Sequence, residues 1–301
     1  MDQQDYMEQY WNKLRSMGLS EEEIAMYKET LKPEEEAGSA WFASSRQLSA
    51  NSKQLRHLFS GDDADVNDWE DGTPALLLHQ GEPLDTLLQW GIACGADTAL
   101  VNRHYLNQLA TGKDAAESRQ LLAEWWEIHH REELLDMLHW LKECGHRIEF
   151  DVIWQAINLV SVRESKAFLK EYIVNNELEE VVVMERWRNT REALELFREK
   201  QLTGEHLQPE MLIWDFARII NLSRLGYDAG YITAEEAAAY ITGCVPSIKR
   251  TYTSWKHLSV SYQFARCIWN GAEAGSFESL AANMELLLTA ADSPWVQQSF
   301  S

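Results

Sequence analysis

The sequence predicts an all-α, helical bundle-like fold, and three observations support this prediction. Glycine and proline are sparse, at 15 and 6 of 301 residues, so few residues interrupt helices. An apolar content of 45% and 13 tryptophans provide the large side chains that a core needs. Signals for helix starts and stops recur along the chain. We expect a two-part architecture, with an N-terminal helical region (1–75) and a larger helical domain (76–301).

The N-terminal region predicts helices followed by an acidic linker. Residues 3–32 read as two helices, because Gly18 suits the end of the first and Ser20 with Glu23 forms a capping box for the second. A further helix is expected around 41–59. The stretch SGDDADVNDWEDGTP (60–74) combines acidic and turn-forming residues, which is typical of an exposed linker. The domain boundary is therefore placed at its end.

The predicted second domain (76–301) begins with two helices, which are followed by an amphipathic helix. Leu134, Leu138 and Leu141 recur at helical spacing in the stretch 125–151, and Gly145 stands where a left-handed C-cap is expected. His146 is interpreted as a residue whose imidazole meets the end carbonyls of that helix. Other helices are predicted at 84–94, 115–126, 150–160, 163–174, 177–200, 209–225, 233–242, 246–270 and 275–290, with a strand as the alternative around 178–184.

The segment WDFARIINLSRLGYDAGYITAEEAAAYI (214–241) begins with a helix that has no polar face. Apolar residues surround its circumference, which predicts burial, yet it carries Asp215 and Arg218 three residues apart. A charge removed from water costs several kcal/mol unless it is paired and hydrogen-bonded. These side chains must therefore meet each other, another element or a wetted pocket.

A second helix, within 253–271, offers a partner. Arg266 lies in a stripe of aromatic residues there, and an arginine among aromatics can hold a carboxylate bidentately. Asp215 is the preferred partner of Arg266. Between the helices, Gly226 is a C-cap candidate, Gly230 permits a tight turn, and a capping box is predicted from Thr233 and Glu236.

Two interpretations of these charges stay open. In the first, Asp215, Arg218 and Arg266 form a structural ion-pair network that fixes how the C-terminal helices dock. In the second, they line a polar pocket together with Glu236, where anions bind or acid–base chemistry takes place. Side chains that would then donate protons or bind a ligand are Tyr227 and Tyr231.

The same residues carry a family resemblance. The stretches WDFARIINLSRLGYDAGYITAEEA, TSW (253–255) and SYQFARCIW, preceded by EWWEIHHREELLDMLHWLKECGHRIEFD, resemble the bacterial domain-of-unknown-function family DUF1266 over residues 85–290. The resemblance implies a mainly helical bacterial domain. It implies no activity and lends no catalytic residue.

Motifs of common enzymes and cofactor sites are missing from the sequence. The four cysteines are scattered without a CxxC pair, no HExxH motif accompanies the histidines, and no glycine-rich phosphate loop is present. We therefore expect no metal and no cofactor. No signal region and no membrane-length apolar run is seen, which favours a cytoplasmic protein without a membrane partner.

The net charge of −21 directs the functional hypothesis. It disfavours nucleic acid as a partner and favours a basic protein surface. Our leading hypothesis is a non-enzymatic cytoplasmic protein-binding protein of the immunity or adaptor type. The alternative is an enzyme or small-anion receptor whose pocket is built around Asp215, Arg218, Glu236 and Arg266. A toxin domain is a third and less favoured class.

Overall fold

The structure is a computed structural model that describes residues 75–202, 211–271 and 274–300. All regular elements in these residues are helices, which confirms the all-α prediction. The predicted N-terminal helices and the acidic linker lie outside the described residues, so the two-part organisation stays a prediction. The described helices are α1 (Thr86–Ala93), α2 (Ala96–Val101), α3 (Ala115–Trp126), α4 (Arg131–Glu143), α5 (Arg147–Ile157), α6 (Val162–Asn175), α7 (Glu180–Glu199), α8 (Leu212–Asp228), α9 (Ala234–Thr251), α10 (Trp255–Asn270), α11 (Ala274–Thr289) and α12 (Pro294–Gln297).

Helix α8 is the central helix of the fold. Every residue from Ile213 to Gly226 is buried, as the absence of a polar face predicts. The helices packed around it are α2, α3, α4, α9 and α10. Because α8 has protein on all sides, each charge on it must be neutralised by a neighbouring helix or loop.

Helices α5, α6 and α7 form a layer with a hydrophobic cluster of its own. Ile153, Leu169 and Val183 are among its buried residues. The layer joins the remaining helices chiefly through packing of α7 on α10, and α5 begins directly after α4. The segment 178–184, where a strand was the alternative, lies at the start of α7 and is helical from Glu180 onward.

The predicted break between two helices at residues 242–246 is wrong. A helix was expected to start at residue 246, but α9 continues through Pro246 to Thr251. Proline removes one backbone donor, yet the buried residues Ile241, Val245 and Ile248 keep one side of α9 packed across it. The helix ends where Tyr252 becomes extended, and Ser254 then caps α10 by accepting a hydrogen bond from the backbone N–H of His257.

Gly226 does not act as a C-cap, because α8 continues to Asp228. A Cβ at this position would collide with the side chain of Leu134, so glycine here permits the close approach of α4 and α8. Gly230 does adopt a left-handed conformation, with φ of +76°, and it makes the predicted tight turn between α8 and α9.

None of the described helices is both long and apolar enough to cross a membrane.

Candidate functional site

The carboxylate of Asp215 binds the junction between α4 and α5. Its Oδ1 accepts hydrogen bonds from the backbone N–H of His146 at 2.9 Å and from His146 Nδ1 at 2.7 Å. Its Oδ2 accepts from Arg147 Nη1 at 2.8 Å and from the backbone N–H of Arg147 at 3.3 Å. The side chain of Asp215 is 0% exposed. His146 is the N-cap residue of α5, but its side chain accepts no hydrogen bond from the first turn. Asp215, which belongs to another helix, caps the start of α5 instead.

Gly145 makes this contact possible. It ends α4 in the left-handed conformation, with φ of +60°, as the sequence predicts. A Cβ at this position would collide with the carboxylate of Asp215. The left-handed backbone therefore favours glycine, and the close approach of the carboxylate leaves no room for a Cβ.

The protonation states of the pair follow from burial and pairing. Burial alone would raise the pKa of Asp215, but Arg147 and the hydrogen bonds from His146 hold it below its usual value. Burial lowers the pKa of His146, and the hydrogen bond to Asp215 only partly opposes this. The pair is thus an ionised carboxylate and a neutral imidazole whose Nδ1 carries the proton, with Arg147 as the cation.

Arg266 is not the partner of Asp215, and the expected pairing is therefore wrong. Arg266 lies near Asp97 in α2, where its charge favours ionisation. Burial dominates nevertheless and raises the pKa of Asp97 to about 7. Asp97 Oδ1 accepts a hydrogen bond from Ser259 Oγ at 3.2 Å, and Ser259 Oγ accepts one from Gln263 Nε2 at 3.1 Å.

Arg218 belongs to an aromatic and cationic cluster beside His146. Its guanidinium carbon lies 3.3 Å from the ring centre of Trp214, and its Nη1 donates to the carbonyl of Trp214 at 3.0 Å. The ring of Trp214 is 5.9 Å from that of Trp269. Trp269 in turn contacts His146 edge-on at 5.1 Å and carries the guanidinium of Arg186 at 4.6 Å.

Glu236 lies in a separate, more exposed cluster. It binds Arg131 with both oxygens, at 2.5 and 2.9 Å, and it accepts the backbone N–H of Thr233 at 2.9 Å. The predicted capping box of Thr233 and Glu236 is therefore confirmed. Tyr231 completes the cluster, because its hydroxyl donates to the carbonyl of His129 and its carbonyl accepts from Arg131. Arg131 and the capping interactions hold the pKa of Glu236 at about 2.

Tyr227 and Arg224 lie toward the C-terminal end of α8. Tyr227 is half-buried, and its carbonyl accepts from the backbone N–H of Gly230. Arg224 is fully buried and donates to the carbonyls of Tyr105, Leu109 and Ala110, so it holds the loop after α2 onto α8. The predicted site residues therefore contact different neighbours: Asp215 binds His146 and Arg147, Glu236 binds Arg131, and Arg218 stacks on Trp214.

Sequence reasoning missed the two residues that hold Asp215. Arg147 was not singled out, and His146 was expected to face its own helix instead of Asp215. The available signal was local: a left-handed glycine followed by the first two free backbone N–H groups of a helix. Asp215 lies 69 residues after His146 in the chain. Periodic patterns describe single helices and therefore do not predict a contact between such distant residues.

In the residues that the structure describes, no three side chains of the metal-binding types lie together. Burial raises the pKa of Cys244 and of Cys267 to about 12 and that of Cys144 to about 11. Such thiols are poor nucleophiles, because the thiolate is the reactive form.

The described fold is that of an all-α domain built around a buried helix whose charges bind its neighbours. Residues 121–300 match the family model described as a protein of unknown function, DUF1266, and the chain belongs to this family. The match confirms the resemblance and includes α4, α5, α8 and α9, which carry both carboxylate–guanidinium clusters. Searches of curated proteins and of solved structures returned no match.

Proposed function

We propose that the protein is a non-enzymatic cytoplasmic binding protein, of the immunity or adaptor type, that docks a basic partner protein on the outer face of α4. One observation carries the proposal: three exposed carboxylates, on Glu132, Asp136 and Glu143, follow one another at helical spacing on this face. We call these three residues the α4 acidic stripe. In the described part of the chain, no basic side chain forms an ion pair with Asp136 or Glu143.

The α4 acidic stripe stands on a rigid support. Leu134, Leu138 and Leu141 are fully buried on the inner face of α4, which packs on α8. Both ends of the helix are tied down, by the Arg131–Glu236 pair at its start and by Asp215 just beyond its end. Carboxylates on a held helix lose little conformational freedom when a partner binds, which favours affinity.

Charge complementarity selects the partner. The net charge of −21 repels polyanions at long range and accelerates encounter with a basic protein. In this proposal, Asp215 and Glu236 act indirectly, because they hold the helix that carries the stripe. An enzyme or receptor pocket that uses Asp215, Arg218, Glu236 and Arg266 together is less favoured, since the two carboxylates lie in separate clusters and each is neutralised by an arginine.

The test is affinity purification of the full-length chain from its native cells at low salt, followed by quantitative binding of the partner that is recovered. The double variant Asp136→Lys/Glu143→Lys reverses two charges of the stripe. The matched control, Glu171→Lys/Glu195→Lys, makes the same change of net charge at exposed positions of α6 and α7. We expect the stripe variant to lose about tenfold or more in affinity.

The control variant should retain an affinity close to that of the unaltered chain. An equal loss for both variants would mean that net charge alone drives binding and would contradict a docking face on α4. Recovery of no basic partner at low salt would also count against the proposal, because exposed charge pairs are strongest under that condition.

A further inference from the structure

The cluster beside His146 contains hydrogen-bond donors without acceptors. The indole nitrogens of Trp214 and Trp269 are both buried, and within the described residues neither N–H has a hydrogen-bond partner. Buried N–H groups are nearly always paired in folded proteins, because an unpaired donor has lost its water and gained nothing in exchange. Two such donors on rings 5.9 Å apart indicate a missing acceptor.

Two guanidinium groups lie over the rings that carry these donors. The guanidinium of Arg218 lies over the ring of Trp214, and that of Arg186 lies over the ring of Trp269. In the described residues, the only carboxylate bound to Arg186 is that of Glu149. Both oxygens of Glu149 accept from the same nitrogen, Nη1, of the Arg186 guanidinium. Indole rings that stack with guanidinium groups keep these cations in fixed positions.

The negative charge of Asp215 is kept away from the indole groups. The His146 ring contacts Asp215 through Nδ1 and contacts Trp269 edge-on. Both oxygens of Asp215 are occupied by donors from His146 and Arg147. The carboxylate therefore has its own donors and does not serve as the acceptor for either indole.

We propose that the cluster of Trp214, Trp269, Arg186 and Arg218 binds a small tetrahedral oxyanion of the phosphate or sulfate type. Such an anion presents oxygens in several directions and can accept from both indole N–H groups while it lies near the two guanidinium groups. Trp269 is partly exposed and the side chain of Arg186 is 13% exposed, so the cluster reaches the surface where α7 packs on α10. This site lies apart from the α4 acidic stripe and does not depend on partner binding.

The test is a titration of the full-length, ¹⁵N-indole-labelled protein with inorganic phosphate, and separately with sulfate, at an ionic strength held constant with sodium chloride. The indole signals of Trp214 and Trp269 are assigned with the variants Trp214→Phe and Trp269→Phe. We expect both signals to move in a saturable manner. The indole signal of Trp295 should stay in place, because that buried indole N–H already donates to the carbonyl of Ala93 at 2.7 Å.

Calorimetric titration of the variants provides a second readout. Trp269→Phe keeps an aromatic ring and removes the N–H donor, and we expect it to weaken phosphate binding by about tenfold. Trp295→Phe is the matched control, because its indole N–H already has an acceptor, and it should bind phosphate as the unaltered chain does. Saturable binding of either anion with this pattern supports the proposal. Shifts that only track ionic strength, or equal affinities of the Trp269→Phe variant and the unaltered chain, would overturn it.

Discussion

Two carboxylate–guanidinium pairs hold the two ends of α4, and they differ mainly in their access to water. Asp215 is 0% exposed and its partner Arg147 is 18% exposed, whereas Glu236 and Arg131 are 36% and 41% exposed. Both carboxylates also accept backbone N–H groups at the start of a helix. The chemistry is therefore nearly the same at both ends, and burial is the variable that distinguishes them.

The comparison teaches that a buried pair is costly to break and an exposed pair is not. If one partner of a buried pair is removed, the other charge stays in a medium of low polarity without compensation. If one partner of an exposed pair is removed, water and salt replace it. We therefore expect Asp215 to determine stability and Glu236 to contribute little more than local capping.

The largest expected effect is that of Asp215→Ala. The substitution leaves the charge of Arg147 without its carboxylate and two helix-start N–H groups without their acceptor, and we expect a loss of about 3–5 kcal/mol in the free energy of unfolding. Denaturant unfolding monitored by circular dichroism measures it. An effect no larger than that of Glu236→Ala would show that burial does not separate the two pairs.

Asp97 sharpens the comparison, because within the described residues no arginine is hydrogen-bonded to this buried carboxyl. Its pKa is raised from 3.8 to about 7, so the folded state binds the proton more tightly than the unfolded state between these values. Stability is consequently lost as the pH rises through this range. Asp97→Asn should remove this loss and gain roughly 2–3 kcal/mol relative to the unaltered chain between pH 5 and pH 8.

Unfolding curves of the two proteins at pH 5 and pH 8 provide this measurement. The pH dependence of stability that Asp215 causes has the opposite sign. Its pKa is lowered, so its contribution to stability is present above the unfolded pKa of 3.8 and is lost as the pH falls. His146, whose pKa is lowered from 6.5, adds to the loss on the acid side, because the unfolded imidazole takes up a proton first. Parallel pH profiles for Asp97→Asn and the unaltered chain would contradict the assignment of a raised pKa to Asp97.

An intermediate effect is expected for Gly145→Ala. The left-handed backbone costs about 1–2 kcal/mol for a residue with a Cβ, and the new methyl group also displaces the carboxylate of Asp215. We expect a total loss of about 2–3 kcal/mol. Gly230→Ala is the matched control, because Gly230 is also left-handed, with φ of +76°, and a Cβ there meets only Arg119 Nη2 at an ordinary contact distance of 3.7 Å. The same loss in both variants would argue against the contact with Asp215.

The smallest effect is expected for Glu236→Gln. Glutamine retains an oxygen that can complete the capping box with Thr233, and the lost attraction to Arg131 is that of an exposed pair. The melting temperature should therefore fall only slightly, and the difference from the unaltered chain should shrink further at 1 M salt. A large, salt-independent fall would place Glu236 in the same class as Asp215.

The sequence predicts the helices and the burial of α8 well, because both depend on local patterns. The lack of a polar face in α8, the left-handed Gly145 and the capping box of Thr233 and Glu236 are all properties of short stretches. The identity of the partner of Asp215 is a different matter. Several cations were available to a buried carboxylate, and the choice of Arg147 over Arg266 depends on how α4 and α5 dock on α8.

The same limit explains the other errors. Gly226 resembles a helix stop in sequence, but it lies within α8, where the lack of a side chain leaves room for Leu134. Pro246 resembles a helix break, but buried residues on both sides keep α9 intact. In each instance, a long-range contact decides between two locally reasonable structures.

The central claim, that burial makes the Asp215 pair structural, is tested most directly by two double-mutant cycles measured in the same buffer. One cycle combines Asp215→Ala with Arg147→Ala, and the other combines Glu236→Ala with Arg131→Ala. We predict a coupling free energy of about 2 kcal/mol or more between Asp215 and Arg147, and a coupling close to the error of measurement between Glu236 and Arg131. A coupling at Asp215 that is equal to or smaller than that at Glu236 would contradict the account.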